Sequence, residues 1–237
     1  MATKCSASHV SLARCFWVGF AALCIVSCGN QQSSEPTHMN GSGMRANAPA
    51  QPVTEELSVW HLDGAASSIS FISIKADEIA ETHTFETISG AVQTSGAVEL
   101  EIDLASVETN IDIRNERLRE LFFQTDTFPM ASITSNLDMS ALTVLGPGDQ
   151  RDFSLSLSLN LHGFSESIDA SLIVTRLDED TVSVTTLSPI VVNVADFQLS
   201  DGLERLREAA NLPSITPVSP VSALLIFKRE TGPGDQH

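Results

Sequence analysis

The stretch Phe153-Ser154-Leu155-Ser156-Leu157-Ser158-Leu159-Asn160-Leu161 places an apolar side chain at every second position and a polar one between. Successive side chains of a strand leave on opposite faces, so this run has one dry face and one wet face. On a helix the same residues would scatter apolar groups around the whole circumference. A second run, Val98-Glu99-Leu100-Glu101-Ile102-Asp103-Leu104, alternates apolar with acidic residues. Strands wet on one face belong to antiparallel sheets, because parallel sheets are covered on both sides. The chain is therefore expected to be all-β.

The remaining strands follow from the same period. They are expected at Val59–Leu62, Ile69–Lys75, His83–Gln93, Ala97–Val107, Met130–Leu137, Phe153–His162, Ser167–Thr175, Thr181–Leu187 and Val221–Lys228. Between two of them the period changes: Leu118, Leu121 and Phe122 have helical spacing within Arg114–Phe123, with Asp112 as the expected N-cap. A second short helix is expected over Ser200–Asn211, with Asp201 and Glu204 at capping-box spacing, Leu203, Leu206 and Ala210 buried, and Asn211 and Pro213 as the stop. Eight or nine antiparallel strands with two short helices suit a sandwich or a barrel, and periodicity leaves both open.

The N-terminal quarter is different. Lys4 and Arg14 precede the apolar run Cys15–Val26, too short for a comfortable span and suited to a signal peptide over residues 1–27. It ends in Ile25-Val26-Ser27-Cys28, which resembles the bacterial lipobox; that resemblance implies a lipid anchor on Cys28, and Gly29 in place of Asp implies the periplasmic face of an outer membrane. Residues 28–56, rich in Gln, Ser, Asn, Pro, Gly and Ala, read as a flexible tether of roughly 30 Å mean span. The domain is expected over 57–230, with a disordered tail over 231–237. All four cysteines lie at or before Cys28, so the expected domain has no disulfide and no thiolate chemistry. The net charge of −17 argues against nucleic acid as a partner.

Signals for catalysis are few. Neither a nucleophile elbow nor a metal-binding His-Glu-x-x-His motif nor a phosphate-binding glycine loop is present. His61, His83 and His162 fall on three different expected strands without a ligand pair at motif spacing, so no metal site is assigned. Asp196 is expected to bond backbone at the bend before the second helix. Asp178-Glu179-Asp180 reads as a solvated hairpin tip, since the spaced ligands of a calcium loop are missing. Arg114, Arg117 and Arg119 suit either a polar lipid head or a solvated helix face; the solvated face is the expectation for Arg117 and Arg119. No enzyme activity and no cofactor are assigned.

Several pieces together resemble the YceI-like family. They are Trp60-His61-Leu62-Asp63 with Ser68-Ile69-Ser70-Phe71, Glu81-Thr82-His83-Thr84-Phe85 with Gly90, and Ala105–Thr109 running on through Arg114–Arg119, Phe122-Phe123 and Phe128-Pro129. Leu161-His162-Gly163, Ala195-Asp196-Phe197 and the strand through Phe227 complete the pattern. The resemblance implies a single lipocalin-like antiparallel barrel of about eight strands that binds polyisoprenoid lipids. Alternation gives the inward set as Phe71, Phe85, Leu100, Ile102, Leu104, Phe153, Leu155, Leu157, Leu159, Ile168, Leu172, Val182 and Val184, with Leu121, Phe122, Phe123 and Phe128 closing one end. Such an interior is either filled by its own side chains or hollow enough for one ligand. The resemblance implies the hollow form, a tunnel for an elongated lipid such as an isoprenoid quinone or prenyl phosphate. The alternative is an empty barrel acting as an interaction or stress-related structural lipoprotein of the cell envelope.

Overall fold

The structure is a computed structural model that describes residues 59–230. The expected signal peptide, the lipid anchor at Cys28, the tether and the C-terminal tail lie outside the described residues.

The described elements, in chain order, are β1 (Trp60–Leu62), β2 (Ser68–Lys75), β3 (Ile79–Phe85), β4 (Ile88–Val92), β5 (Ala97–Asp103), β6 (Val107–Glu108), α1 (Asp112–Arg117), β7 (Met130–Asn136) and α2 (Ser140–Thr143). They continue with β8 (Gln150–Leu161), β9 (Phe164–Arg176), β10 (Thr181–Thr186), β11 (Ile190–Asn193), α3 (Ser200–Ala209) and β12 (Val218–Arg229). Hydrogen bonding runs β1-β4-β5-β7-β8-β9-β10-β12 and returns from β12 to β1, an eight-stranded antiparallel ring. Closure decides the question that periodicity left open: a sandwich keeps sheet edges, and this ring has none.

Four of the eight staves are broken into collinear pairs. Strand β12 bonds β1 through Phe227–Arg229 and β2 through Val221–Leu224 on one side, and β10 and β11 on the other. Strand β3 bonds β2 and β6, continuing the pairing of β4 with β1 and β5. The single strands expected over His83–Gln93 and Ala97–Val107 are each interrupted, and at the same level. The Asp103 carboxylate accepts from the Ala105 amide at 2.9 Å and starts a 3₁₀ turn over Leu104–Ser106. Ser106 then holds the neighbouring break, its carbonyl accepting from the Glu86 amide (3.1 Å) and its hydroxyl from the Thr87 amide (3.0 Å). Local side-chain bonds of this kind compete with the sheet ladder, and here they win on two adjacent strands at once.

Both helices differ from expectation at their starts. Ile111, not Asp112, occupies the cap of α1, and Leu199, not an acid, that of α3; neither makes a side-chain cap bond. Glu204 does not reach back to the cap but pairs forward with Arg207 at 2.6 Å. Asn211, at φ 52°, supplies the expected left-handed stop. The helix expected through Phe123 is α-helical only to Arg117 and continues as one π turn over Leu118–Phe123. The wider turn buries Leu118, Phe122 and Phe123 together. Helix α3 lies tight against it: a Cβ at Gly202 would stand 3.0 Å from the Leu121 carbonyl oxygen and 3.1 Å from the Phe122 Cα.

These helices, with the hairpins β2–β3 and β8–β9, gather at one end of the barrel. The largest fully buried side chains, Phe197, Leu104, Leu199 and Val107, are there. At the other end Trp60 is buried between two guanidinium groups, Arg229 at 4.9 Å and Arg176 at 5.4 Å from its ring. Such stacking lets long cationic side chains cover an apolar end while their charge stays wet.

Candidate functional site

The period-two pattern that builds the strands also builds the site. Along β8, Phe153, Leu155, Leu157, Leu159 and Leu161 all face a cavity of about 540 Å³, while Ser154, Ser156 and Ser158 are exposed. Eight residue steps at ~3.3 Å make about 26 Å of strand, so the space is elongated. Facing β9 adds Ile168, Leu172 and Val174, and β5 adds Leu100 and Ile102. Phe71, Phe85, Leu104, Val184, Phe122 and Phe123 complete the expected wall.

Three expected residues stand elsewhere. Val182 is buried beside Trp60 in a separate small space of about 50 Å³. Leu121, within the π turn, packs on the core without reaching the cavity. Phe128 stacks on the His162 ring, centroids 4.1 Å apart, over Gly163. The aromatic corner is therefore divided: Phe122 and Phe123 close the cavity, and Phe128 braces the β8–β9 hairpin.

The sequence reading missed β11 and the residues around it. Ile190, Val192, Val194, Leu199, Leu212 and Ile215 line the same space. The β-branched run Ile190-Val191-Val192 after Pro189 was the available signal. Asp196 is exposed and does not organise the bend; the Asn193 side chain does, accepting from the Ala195 amide at 3.1 Å.

Polar groups cluster at the helical end. Register places Phe71 opposite His83, Ser73 opposite Glu81 and Lys75 opposite Ile79, so the inner face of β2 and β3 turns polar towards its hairpin. His83 is 3% exposed; its Nε2 is 2.9 Å from the Ser73 hydroxyl. Burial first, and the Arg114 charge second, push its pKa down, which keeps the ring neutral. Glu81 accepts from Lys75 and from Arg114 Nη1, and the Lys75 hydrogen bond leads in holding its carboxyl below the usual range. Arg114 Nη2 donates to the Thr109 carbonyl at 2.7 Å. Arg117 lines the cavity, against the expectation of a solvated face, while Arg119 is turned to the Ala105 carbonyl at 3.4 Å.

The three domain histidines do not meet. His61 pairs with Glu230 at 3.3 Å on the surface, His83 with Ser73, and His162 stacks on Phe128. Among the described residues no three His, Cys, Asp or Glu side chains come together as a metal site.

A sequence profile of the YceI-like domain matches residues 60–216. The chain belongs to the YceI-like family. Its barrel is similar to a solved polyisoprenoid binding domain from Saccharophagus degradans implicated in plant cell wall breakdown, at 37% identity and a TM-score of 0.71. That likeness covers 72% of this chain and 98% of the other. Burkholderia cenocepacia BcnA shares the fold at 14% identity and a TM-score of 0.52, over 70% of this chain and 98% of its own. No curated protein matches the chain. In this YceI-like barrel, strand alternation accounts for most of the cavity wall, and the β2–β3 register accounts for its polar end.

Proposed function

We propose that this YceI-like protein binds and carries an elongated apolar lipid, a polyisoprenoid such as an isoprenoid quinone or a prenyl phosphate, without covalent chemistry. The observation that carries the reading is the long cavity of about 540 Å³ with an almost wholly aliphatic and aromatic wall. Its volume is in the range of small-molecule sites, which bury most of their ligand and fix it with few polar groups. An apolar space even of ~150 Å³ stays dry and takes up apolar guests. A chain of ~40 heavy atoms at ~0.3 kcal/mol each gains about 12 kcal/mol, equivalent to a nanomolar Kd, without any charged contact. The similarity to a solved polyisoprenoid binding domain supports the same ligand class.

The test is native mass spectrometry of protein purified without detergent. A prenyl lipid should remain bound. Leu155 faces the cavity opposite the small, buried Ala170, so Leu155→Trp should fill the space there and return the protein to apo mass while it stays folded. Parent protein that is folded yet binds none of several isoprenoid quinones or prenyl phosphates would favour the empty structural barrel.

The proposed site of action is the cell envelope, with Cys28 as the lipid-bearing residue; the support is the lipobox-like run Ile25–Cys28 after an apolar segment. In a bacterial host fed radiolabelled palmitate, the parent should incorporate label and Cys28→Ala should not. Label on the variant would refute the assignment.

A further inference from the structure

The cavity wall carries one sign of charge. The chain has 30 acidic and 13 basic residues, yet the charged residues lining the cavity are Lys75, Arg114 and Arg117, with no Asp or Glu among them. Chance composition would give the opposite sign. All three stand at the helical end, where Ile111 and Ile113 line the cavity while 46% and 52% exposed, so the space reaches the surface there. Glu81, outside the lining, accepts from both Lys75 and Arg114 and neutralises one of those two charges. Arg117 has neither an ion pair nor a side-chain hydrogen bond among the described residues. Two more nitrogens of the lining residues are unspent: the buried Arg114 Nε–H donor has no partner, and neither has Nδ1 of His83, itself 3% exposed. Buried polar atoms are normally satisfied, and clustered exceptions at one end of an apolar space call for an acceptor.

We infer that the α1 end of the tunnel is an anion subsite, in which Arg117, Arg114 and Lys75 receive the phosphate or carboxylate head of the bound lipid and discriminate against neutral heads. The inference rests on the lipid-binding reading above and narrows its ligand class. The geometry separates two tasks. The apolar wall takes the chain, whatever its head, and the cations add affinity only where the head is charged. Charge-assisted bonds from guanidinium to phosphate or carboxylate are the strong members of their class, stronger still where water is partly excluded. Arg117 is the specificity residue of the set, because Arg114 and Lys75 also hold Glu81 in the fold.

The test uses chain-matched ligands that differ only in the head. Kd values for geranylgeranyl monophosphate and geranylgeraniol, and for palmitate and hexadecanol, are compared for parent protein and Arg117→Gln. The parent should bind at least one of the anions about tenfold or more tighter than its alcohol, a gap that closes as salt is added. Preference in the phosphate pair alone assigns a phosphate head, in the palmitate pair alone a carboxylate, and in both a site that reads charge. Arg117→Gln should melt as the parent does, keep its affinity for the alcohols and lose most of the preference; Lys75→Met should move it in the same direction. Equal affinity for anion and alcohol in both pairs, or an Arg117→Gln protein that weakens both heads alike, would overturn the subsite while leaving the lipid reading intact. A parent that binds no member of either pair would bring down the lipid reading and the subsite together.

Discussion

Asn115→Ala should destabilise the barrel by about 2–4 kcal/mol, measured by chemical denaturation, although the residue does not line the cavity. Asn115 is 5% exposed and holds both ends of one bend. Its Oδ1 accepts from the Thr109 amide at 2.9 Å and from the Thr109 hydroxyl at 2.5 Å, and its Nδ2 donates to Glu108 at 3.0 Å. Thr109 is itself 2% exposed. Alanine would leave the buried Thr109 amide without an acceptor and its hydroxyl with only the 3.4 Å bond to the Ile111 carbonyl, and a lone buried donor forfeits its full hydration. The same bend fixes α1, whose Arg114 bonds the Thr109 carbonyl. Asn115→Asp preserves the acceptor but replaces the donor to Glu108 with a second buried carboxyl beside it, so it should be no less damaging than alanine. An alanine variant within about 0.5 kcal/mol of the parent, the range of neutral surface changes, would mean the bend is held by other contacts.

Leu157→Asp should be as damaging. Leu157 faces the cavity opposite Ile168 on β9. A carboxylate there stands among aliphatic side chains without a donor, at a cost of about 2–4 kcal/mol or a strongly raised pKa, and it should also abolish lipid retention. The matched control is Ser158→Asp. Ser158 is exposed and opposite Ser167, so an added charge should change stability by no more than about 0.5 kcal/mol. Ser156 is a poorer control, because it stands directly opposite Asp169, and like charges across a strand pair repel. Equal melting temperatures for Leu157→Asp and Ser158→Asp would contradict the register of β8.

The readings that held rest on period two. Once Phe153–Leu161 was placed on a strand, a place on the cavity wall followed for every second residue, and β5, β9 and most of β2 obeyed the same rule. Phe128 and Leu121 failed because apolar character in a corner says only that a residue packs, not against what. Phe128 was claimed by His162, which the sequence places 34 positions away by their numbers. The strand breaks at Glu86–Thr87 and Leu104–Ser106 were hidden for a related reason. Asp103 and Ser106 look like ordinary members of an alternating run until each is seen to bond a neighbouring amide. The polar end of the cavity was legible in part. Alternation through Phe71 puts Ser73 and Lys75 on the inner face, but those residues look wrong for an interior unless a polar terminus is expected. Arg117 was misjudged on charge alone, since an arginine beside Glu116 and Glu120 resembles a solvated face, and only the placement of α1 at the end of the barrel, tied to β3 through Arg114 and Glu81, brings it to the cavity.

The ring closes through its last strand. β12 bonds β1 and β2 on one side and β10 and β11 on the other, so the last strand of the barrel joins the first. A chain that emerges N terminus first cannot complete this contact until residues near Arg229 are available. Until then β1 and β10 present unbonded edges, and the aliphatic faces meant for the interior are open to water and to other chains. The decisive contacts span nearly the whole domain in sequence, which is the topology that folds slowly. Time, rather than final stability, is thus the vulnerable quantity for this barrel, and the interval before closure is when an unfinished copy is most exposed to aggregation or to a chaperone.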